Sequence, residues 1–212
     1  MADRNPRRAV FLDRDGTLCE EVGYLNHISR LHIFPSAAGA VRRLNAAGFP
    51  VIVVTNQSGV ARGIFPESLI AQVHERIQHD LAVSGARIDG FYFCPHRRED
   101  ACKCRKPLTG LLERAAHAHA LELRGSWFVG DRGADIELAH NAGGRGVLVL
   151  TGYGRGEQQF HMPKWPHQPE FVAEDLAAAV AQILQREAAG APRKHRSGPH
   201  AVPNEGKPRA KQ

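Results

Sequence analysis

The sequence predicts an α/β protein built on a doubly wound parallel sheet in three layers, of the Rossmann-like kind and without a large cap domain. Short apolar runs alternate along the chain with longer segments of helical periodicity. Clusters of polar residues directly follow several of these runs. The segment after the first polar cluster is too short to build a second domain. Alternation of this kind produces parallel strands joined by right-handed crossovers.

Five strands are predicted from apolar runs bounded by turn residues. The predicted strands are 9–12, 51–54, 91–93, 127–129 and 147–150. The second of them is wholly β-branched, which is typical of a strand buried on both faces of a sheet.

Five helices are predicted around these strands. Ser36 is expected to cap the first helix, which Gly48 ends, and Thr109 is expected to cap the third. Pro66 opens the second helix, which carries an apolar stripe. The predicted ranges are 36–47, 66–81, 111–119, 134–141 and, for the last amphipathic helix, 172–185.

The composition predicts one globular domain. The 212 residues are 42% hydrophobic and 24% charged, which is ordinary for a chain with a sizeable core. No apolar run approaches membrane-spanning length, and the first residues lack the apolar centre of a signal peptide. We therefore expect a cytoplasmic protein that does not bind membranes, with a single domain over residues 1–187.

The positive charge of the chain is concentrated in its last residues. The net charge is +6, and residues 188–212 hold six basic residues and one acid, which leaves about +1 for the rest. A near-neutral domain lacks the basic face that nucleic-acid binding needs, so no nucleic-acid partner is expected. The tail is rich in Pro, Gly, Ala and Lys, and we predict that it is disordered.

Two aspartates follow the first predicted strand directly. Asp13 and Asp15 stand before Gly16 and Thr17, at the carboxyl end of the run 9–12. Two like charges so close usually need a cation or a proton between them. A polar turn with a local side-chain hydrogen bond is the alternative at this point.

Polar clusters also follow three other predicted strands, at 55–58, 94–107 and 130–131. Parallel strands share one carboxyl edge, so segments far apart in sequence are expected to meet there in one cleft. One such cluster could arise by chance, whereas four at corresponding positions indicate a ligand site.

Three thiols and one imidazole lie close together in the third cluster: Cys94, His96, Cys102 and Cys104. A Cys₃His set is typical of a closed, structural zinc site, although the spacing here is tighter than usual. A set of small buried cysteines or a redox pair is the alternative. Cys19 stands apart and is expected to be a buried filler.

Taken together, these motifs resemble the haloacid dehalogenase (HAD) superfamily of phosphotransferases. The closer resemblance is to the heptose 1,7-bisphosphate phosphatases and the related histidinol-phosphate phosphatases, over about residues 8–154. The residues that carry the closer resemblance are 13–17, 23–24, 55–59, 61–63, 94–96 and 102–107. Those that carry the resemblance to the superfamily are 13–17, 55–56, 106, 130–131 and 135.

The resemblance implies a role for each residue of the reaction centre. Asp13 is the expected nucleophile, and Asp15 is expected to protonate the leaving oxygen and then to activate water. Mg²⁺ is expected on the carboxylates of Asp13 and Asp131 and on the backbone carbonyl of Asp15. Thr55 and Lys106 should hold the oxygens of the transferred phosphoryl group. Zinc is expected to shape the loop that ends at Lys106.

The resemblance also implies a group of substrate contacts. These are Glu21, Tyr24, Thr55, Asn56, Gln57, Ser58, Arg105, Lys106 and Arg132. Arg105 is the expected partner of a second phosphate. Arg132 stands where many relatives have lysine, which changes the geometry of the donor. Asp135 is open between a supporting role near the metal and a helix cap.

The implied function is a Mg²⁺-dependent hydrolase that removes the C7 phosphate of heptose 1,7-bisphosphate and works as a monomer on a small sugar phosphate. The alternative within the same class is histidinol-phosphate phosphatase. The alternative from another class is a catalytically silent binding module stapled by zinc.

Overall fold

The computed structural model describes residues 7–190, which form a six-stranded parallel sheet of order β3-β2-β1-β4-β5-β6. The strands are β1 (Arg7–Leu12), β2 (Val51–Asn56), β3 (Gly90–Cys94), β4 (Leu121–Gly130), β5 (Arg145–Val149) and β6 (Phe171–Ala173). The predicted fold class is confirmed. None of the helices in the described range is both long and apolar enough to span a membrane.

Six helices accompany the strands: α1 (Ala37–Ala46), α2 (Glu67–Ala82), α3 (Gly110–His119), α4 (Gly133–Asn141), the single turn α5 (Gly154–Gly156) and α6 (Leu176–Gly190). A π-helical turn over Glu157–His161 and a 3-10 turn over Met162–Lys164 follow α5. The predicted tail begins within α6, and its residues 191–212 lie outside the described range.

Alternate residues of each strand face opposite sides of the sheet, and each side has its own apolar core. Val10 and Leu12 of β1 face the core that α1, α2 and α6 cover. Ala9 and Phe11 face the core that α3 and α4 cover, where Phe11 stacks on Phe128 with ring centroids 4.8 Å apart. These are the three layers that the alternating pattern predicts.

The strand order reverses between β1 and β4. The chain adds β2 and β3 on one side of β1 and then returns to place β4 on the other side. The crevice outside the carboxyl ends of two such strands is the usual ligand site of open α/β sheets. Asp13 follows β1 there, and its backbone N–H donates to the Val129 carbonyl of β4 at 2.9 Å.

An irregularity in β4 absorbs extra residues before that crevice. Arg8 pairs with Glu122 and Val10 pairs with Trp127, so several residues of β4 stand opposite Ala9. Ser126 accepts the Ala9 backbone N–H at 2.9 Å and donates to the Glu122 carbonyl at 2.5 Å. Its hydroxyl therefore satisfies the backbone groups that the bulge leaves unpaired.

The half-buried carboxylate of Glu187 links helix α6 to the sheet through hydrogen bonds. Glu187 accepts the indole N–H of the buried Trp127 at 2.9 Å and a hydrogen bond from Arg8 at 3.0 Å. A buried indole N–H without an acceptor is costly, so this contact stabilises the docked helix.

Two predicted helix caps are wrong. Ser36 and Thr109 have helical backbone angles and make no capping bond, whereas a capping residue normally has extended angles. The Ser36 hydroxyl instead donates to Asp175 at 3.2 Å, and the Thr109 hydroxyl donates to Glu113 at 2.6 Å. Gly48 does follow the end of α1, with a φ of 83° that favours glycine.

The predicted start of the last helix is also wrong. Residues 172–173 belong to β6, where Val172 pairs with Leu148 of β5. The helix begins at Leu176, and Asp175 accepts the Ala178 backbone N–H at 2.8 Å as its cap. An apolar strand of three residues next to an apolar helix gives one continuous pattern, which hides the boundary.

A histidine is buried in the α2 face of the core. The ring of His74 stacks on Phe91 with centroids 4.5 Å apart, and its Nε2 atom makes no hydrogen bond within the described residues. Burial lowers the pKa of His74 to about 3, and the positive charge of Arg14 adds to the effect. The folded protein therefore holds this imidazole neutral at pH values where the unfolded chain protonates it.

We predict that His74→Phe makes stability less sensitive to acid. The folded pKa lies below the ordinary value of 6.5, so this histidine costs stability as the pH falls below 6.5. At pH 5 the cost is about 2 kcal/mol, since one pKa unit is worth about 1.4 kcal/mol. Thermal unfolding at pH 7.5 and pH 5 should show a smaller loss in the variant than in the wild type.

The matched control is His79→Phe, at an exposed position of the same helix. It should keep the acid sensitivity of the wild type. Equal losses in His74→Phe and in the wild type would contradict the buried neutral imidazole.

Candidate active site

One cleft of about 1210 Å³ lies at the carboxyl edge of the sheet. The loops after β1, β2, β3 and β4 all line it, as the four polar clusters predict. The predicted residues that line it are Asp13, Asp15, Glu21, Tyr24, Thr55, Asn56, Gln57, Ser58, Arg105, Lys106, Asp131 and Arg132. The predicted reaction centre and the predicted substrate contacts are therefore brought together, while their individual roles stay predictions.

Three carboxylates meet at the floor of this cleft. Asp13, Asp131 and Asp135 each offer one oxygen, and the three oxygens lie within 4.8 Å of one another. All three side chains are buried, with at most 9% of each residue exposed. Burial raises the pKa of Asp13 to about 7 and that of Asp131 to about 8, and the neighbouring carboxylates add to both shifts.

These raised pKa values follow from crowding negative charge away from water. A cluster of hard oxygen donors with surplus negative charge is what Mg²⁺ prefers. The residues present therefore fit a Mg²⁺ ion, with Asp135 beside the two predicted ligands. Asp135 also accepts the Arg132 backbone N–H at 3.2 Å, so it caps α4 as well.

The ammonium of Lys106 lies against the same carboxylates. Its Nζ atom is 2.8 Å from an oxygen of Asp13 and 2.6 Å from an oxygen of Asp135, and it donates to the Val54 carbonyl at 3.1 Å. Burial alone would lower the pKa of Lys106, but the two carboxylates outweigh it and raise the pKa. Lys106 is thus a fixed positive charge with all three donors engaged.

Asn56 has a structural role besides the predicted substrate contact. Its side-chain oxygen accepts the Lys106 backbone N–H at 3.0 Å, and its amide nitrogen donates to the Lys106 carbonyl at 3.3 Å. Both ends of the amide therefore hold the main chain that carries the lysine. Asn56 therefore positions Lys106, and its contact with the substrate stays a prediction.

Asp15 is held by two side chains. The guanidinium of Arg14, which is 1% exposed, donates to Asp15 at 2.8 Å, and Gln57 donates to it at 2.7 Å. Gln57 also donates to the Thr55 hydroxyl at 2.9 Å. The amide of Gln57 thus links two residues of the predicted reaction centre. Sequence reasoning gave Arg14 no role, because a buried arginine has no signature in the pattern.

The four predicted zinc ligands converge. The sulfur of Cys104 lies 3.2 Å from that of Cys94, 3.6 Å from that of Cys102 and 3.3 Å from Nδ1 of His96. Sulfurs at about 2.3 Å from a tetrahedral zinc ion would be about 3.8 Å apart, so this compact set fits zinc. All four cysteines of the chain are free thiols.

The zinc loop leads directly into the reaction centre. Arg105 follows the last cysteine and donates to the His96 carbonyl at 3.1 Å, and Lys106 comes next. At Gly110, where α3 begins, a Cβ atom would collide with the Lys103 carbonyl, so the loop packs tightly on the helix. The geometry of the loop therefore determines where the two cations lie.

The connection between β5 and β6 forms another wall of the cleft, which sequence reasoning missed. Tyr153, His161, Lys164 and Trp165 line the cleft from this side. The guanidinium of Arg132 lies 3.8 Å from the centre of the Tyr153 ring. The segment has neither periodicity nor a recognisable motif, so no signal in the sequence could have placed it here.

Other cations line the cleft beyond those predicted: Arg62, Arg97 and Arg98. The acids Glu21, Glu137 and Glu157 also line the cleft, and Glu21 accepts the Gly23 backbone N–H at 2.5 Å. Burial raises the pKa of Glu21. The cleft thus combines an acidic floor with a largely basic rim, which suits a ligand with more than one phosphate.

Comparison with known proteins agrees with this geometry. The family model described as HAD-hydrolase-like matches residues 103–179. A D-glycero-D-manno-heptose-1,7-bisphosphate 7-phosphatase of Thermosynechococcus vestitus is 46% identical, over 84% of this chain and 96% of that protein. The corresponding β-heptose enzyme of Yersinia pestis is 40% identical, over 68% of this chain and 81% of that protein.

A solved structure has the same fold. The D,D-heptose 1,7-bisphosphate phosphatase of Bordetella bronchiseptica, complexed with magnesium and phosphate, superposes with a TM-score of 0.76 at 35% identity. The match covers 84% of this chain and 99% of that chain.

The parallel sheet and the carboxylate cluster at its switch point define a HAD-like hydrolase. The relatives named above are all heptose 1,7-bisphosphate phosphatases, and this chain matches most of the length of each. The chain belongs to the D-glycero-D-manno-heptose-1,7-bisphosphate 7-phosphatase family, and the resemblance found in the sequence is confirmed.

We predict that Asn56→Ala lowers kcat on a phosphate monoester by 10- to 100-fold and leaves KM within about threefold. Loss of both hydrogen bonds frees the main chain of Lys106, and a misplacement of about 1 Å can cost 100-fold in rate. Steady-state kinetics separate the two constants. Ser58→Ala, at a predicted substrate contact, serves as the comparison and should act mainly on KM. A rise in KM alone for Asn56→Ala would contradict the positioning role and would support the predicted substrate contact.

Proposed function

We propose that this protein is a Mg²⁺-dependent phosphatase that hydrolyses the C7 phosphate of D-glycero-D-manno-heptose 1,7-bisphosphate. The observation that carries the proposal is the position of Asp13, between a buried ammonium and two further carboxylates at the floor of a cleft with basic walls. The relatives of the same name support the substrate.

In the proposed reaction, the carboxylate of Asp13 attacks phosphorus while the bond from phosphorus to the sugar oxygen breaks. Asp15 gives its proton to that leaving oxygen. A water molecule then gives a proton to Asp15 and attacks the phosphorus, which releases inorganic phosphate and restores Asp13. When bound, Mg²⁺ would be held by Asp13 and Asp131, with the carbonyl of Asp15, and would offset the charge between nucleophile and phosphate.

Lys106 and Thr55 are proposed to hold the oxygens of the transferred group. Three acceptors fix the charge of Lys106 beside Asp13, and the ammonium would release one of them to donate to a phosphoryl oxygen. Arg105, next to it in the chain, is proposed to hold the second phosphate, because guanidinium binds phosphate through two parallel hydrogen bonds.

A substrate panel tests the proposal. We predict that kcat/KM for heptose 1,7-bisphosphate exceeds that for histidinol phosphate by about 100-fold, since two charged hydrogen bonds to a second phosphate are worth that much. Phosphate release is measured with Mg²⁺ and with a chelator. A preference for histidinol phosphate would replace the proposed substrate, with Glu21 as the partner of its amine. No release from either compound would favour the binding module.

We predict that Asp13→Asn abolishes turnover, by at least about 1,000-fold in kcat, because an amide cannot replace the carboxylate nucleophile. The raised pKa of Asp13 shows that its charged form is disfavoured by burial, so the variant should unfold at no lower temperature than the wild type without Mg²⁺. Asp80→Asn, in a surface ion pair with Arg76, is the control and should keep full activity. Near-normal turnover of Asp13→Asn would remove the nucleophile assignment.

We also propose one structural zinc per chain on Cys94, His96, Cys102 and Cys104. A closed set of four protein ligands leaves no position for a reacting water, so the zinc would stabilise the loop. Elemental analysis should find one zinc per chain in the wild type and in the control Cys19→Ser, and none in Cys104→Ser. A folded, fully active preparation without zinc would contradict the proposal.

The proposed enzyme is a cytoplasmic monomer. The loops of one chain bring the predicted catalytic residues and Mg²⁺ ligands together, which supports a monomer.

A further inference from the structure

The turn that follows β5 lies against the reaction centre. β5 is the neighbour of β4 in the sheet, so the chain that leaves β5 passes beside the loop of Asp131. The side chain of Thr151 in this turn donates to the Gly16 carbonyl at 2.5 Å, and Gly16 belongs to the loop of Asp13 and Asp15. One short turn therefore contacts both catalytic loops.

The same turn holds the carboxylate of Asp131 through its main chain. The backbone N–H of Tyr153 donates to Oδ2 of Asp131 at 2.8 Å. This hydrogen bond fixes the rotation of the carboxylate, because it occupies one of its two oxygens.

Glycines allow the close approach. Gly16 and Gly152 have φ values of 78° and 55°, in the region that favours glycine. A Cβ atom at either position would collide with the carboxylate of Asp131. The backbone of the turn after β5 and that of the loop after β1 therefore both pack directly against the carboxylate of Asp131. No space remains there for a side chain.

The two peptides that flank the Cα atom of Gly16 are each held by one hydrogen bond. The Gly16 N–H donates to the Cys19 carbonyl at 2.8 Å, and the Gly16 carbonyl is held by Thr151. Because the peptide between Asp15 and Gly16 is planar and trans, the Asp15 carbonyl points away from Cys19. It receives no hydrogen bond from any residue in the range 7–190.

We propose that Thr151 is a positioning residue for the metal centre: its hydroxyl holds the Gly16 carbonyl and thereby orients the Asp15 carbonyl and the Asp131 carboxylate toward one divalent cation. The inference rests on the proposed function, since it takes these groups as ligands of Mg²⁺. Partners that orient metal ligands commonly contribute 10- to 100-fold to metal affinity.

The test measures binding of Mn²⁺, which prefers the same oxygen donors as Mg²⁺, by the loss of the free Mn²⁺ signal in electron paramagnetic resonance. Thr151→Val keeps the shape and removes the hydroxyl, and Thr151→Ala removes both hydroxyl and methyl. We expect both variants to bind Mn²⁺ about 10-fold more weakly and to need about 10-fold more Mg²⁺ for half-maximal activity. Thr151→Ser keeps the hydroxyl and should bind as the wild type does.

The control is Thr109→Val, whose hydroxyl bonds Glu113 on α3. It should bind Mn²⁺ normally. Normal binding by Thr151→Val and Thr151→Ala would overturn the proposal, and so would weak binding by Thr151→Ser or a failure of both hydroxyl-free variants to fold. A wild type that binds Mn²⁺ but releases no phosphate from the bisphosphate would overturn the proposed function alone, since the binding measurement needs no substrate.

Discussion

The buried ammonium of Lys106 is the contact on which the site depends. It faces Asp13 and Asp135 at hydrogen-bonding distance, in a region almost closed to water. Removing the ammonium would leave the buried carboxylates without compensation, and breaking a buried pair in this way costs on the order of 3–5 kcal/mol. One ammonium does not balance three carboxylates, and burial together with the neighbouring carboxylates raises the pKa values of Asp13 and Asp131. The surplus negative charge is what a divalent cation would neutralise.

The chain places this ammonium through an irregular segment, not through a helix or a strand. Lys106 lies between the Cys and His cluster and α3, and Asn56 at the end of β2 holds its main chain on both sides. The loop and the strand therefore restrain one residue from two directions. The cluster of thiols is separate from the carboxylate cluster of the reaction centre, but it restricts the positions of Arg105 and Lys106, which follow it in the chain.

Much of the fold follows from local pattern. The run at 51–54 predicts β2, and the turn chemistry of Gly48 predicts the end of α1, because both signals are contained in a few neighbouring residues. The clustering of polar residues after strands predicts which of them meet, since parallel strands share an edge. Arg14 escaped prediction because burial of its guanidinium depends on Asp15 and on the surrounding core.

The parts that could not be predicted depend on contacts between distant residues. Trp165 has no partner that its neighbours in sequence reveal. Residue 133 must be glycine, because a Cβ atom there would lie 2.7 Å from the indole of Trp165. β6 escaped because its pairing with β5 decides between strand and helix, and local periodicity carries no information about pairing. The hydrogen bonds from Asn56 to the main chain of Lys106 escaped prediction because they join residues that are 50 positions apart.

The register of β4 connects the fold to the chemistry. Leu12 of β1 lies opposite Val129 of β4, so the two strands end at the same level of the sheet. Asp13 therefore lies next to the loop of Asp131. The extra residues of β4 are confined to the bulge near Ala9, where Ser126 satisfies the backbone. A shift of one residue beyond the bulge would turn each side chain of β4 to the opposite face of the sheet. The bulge therefore confines the irregularity to the distant end of the strand, and the carboxylates at the near end keep their alignment.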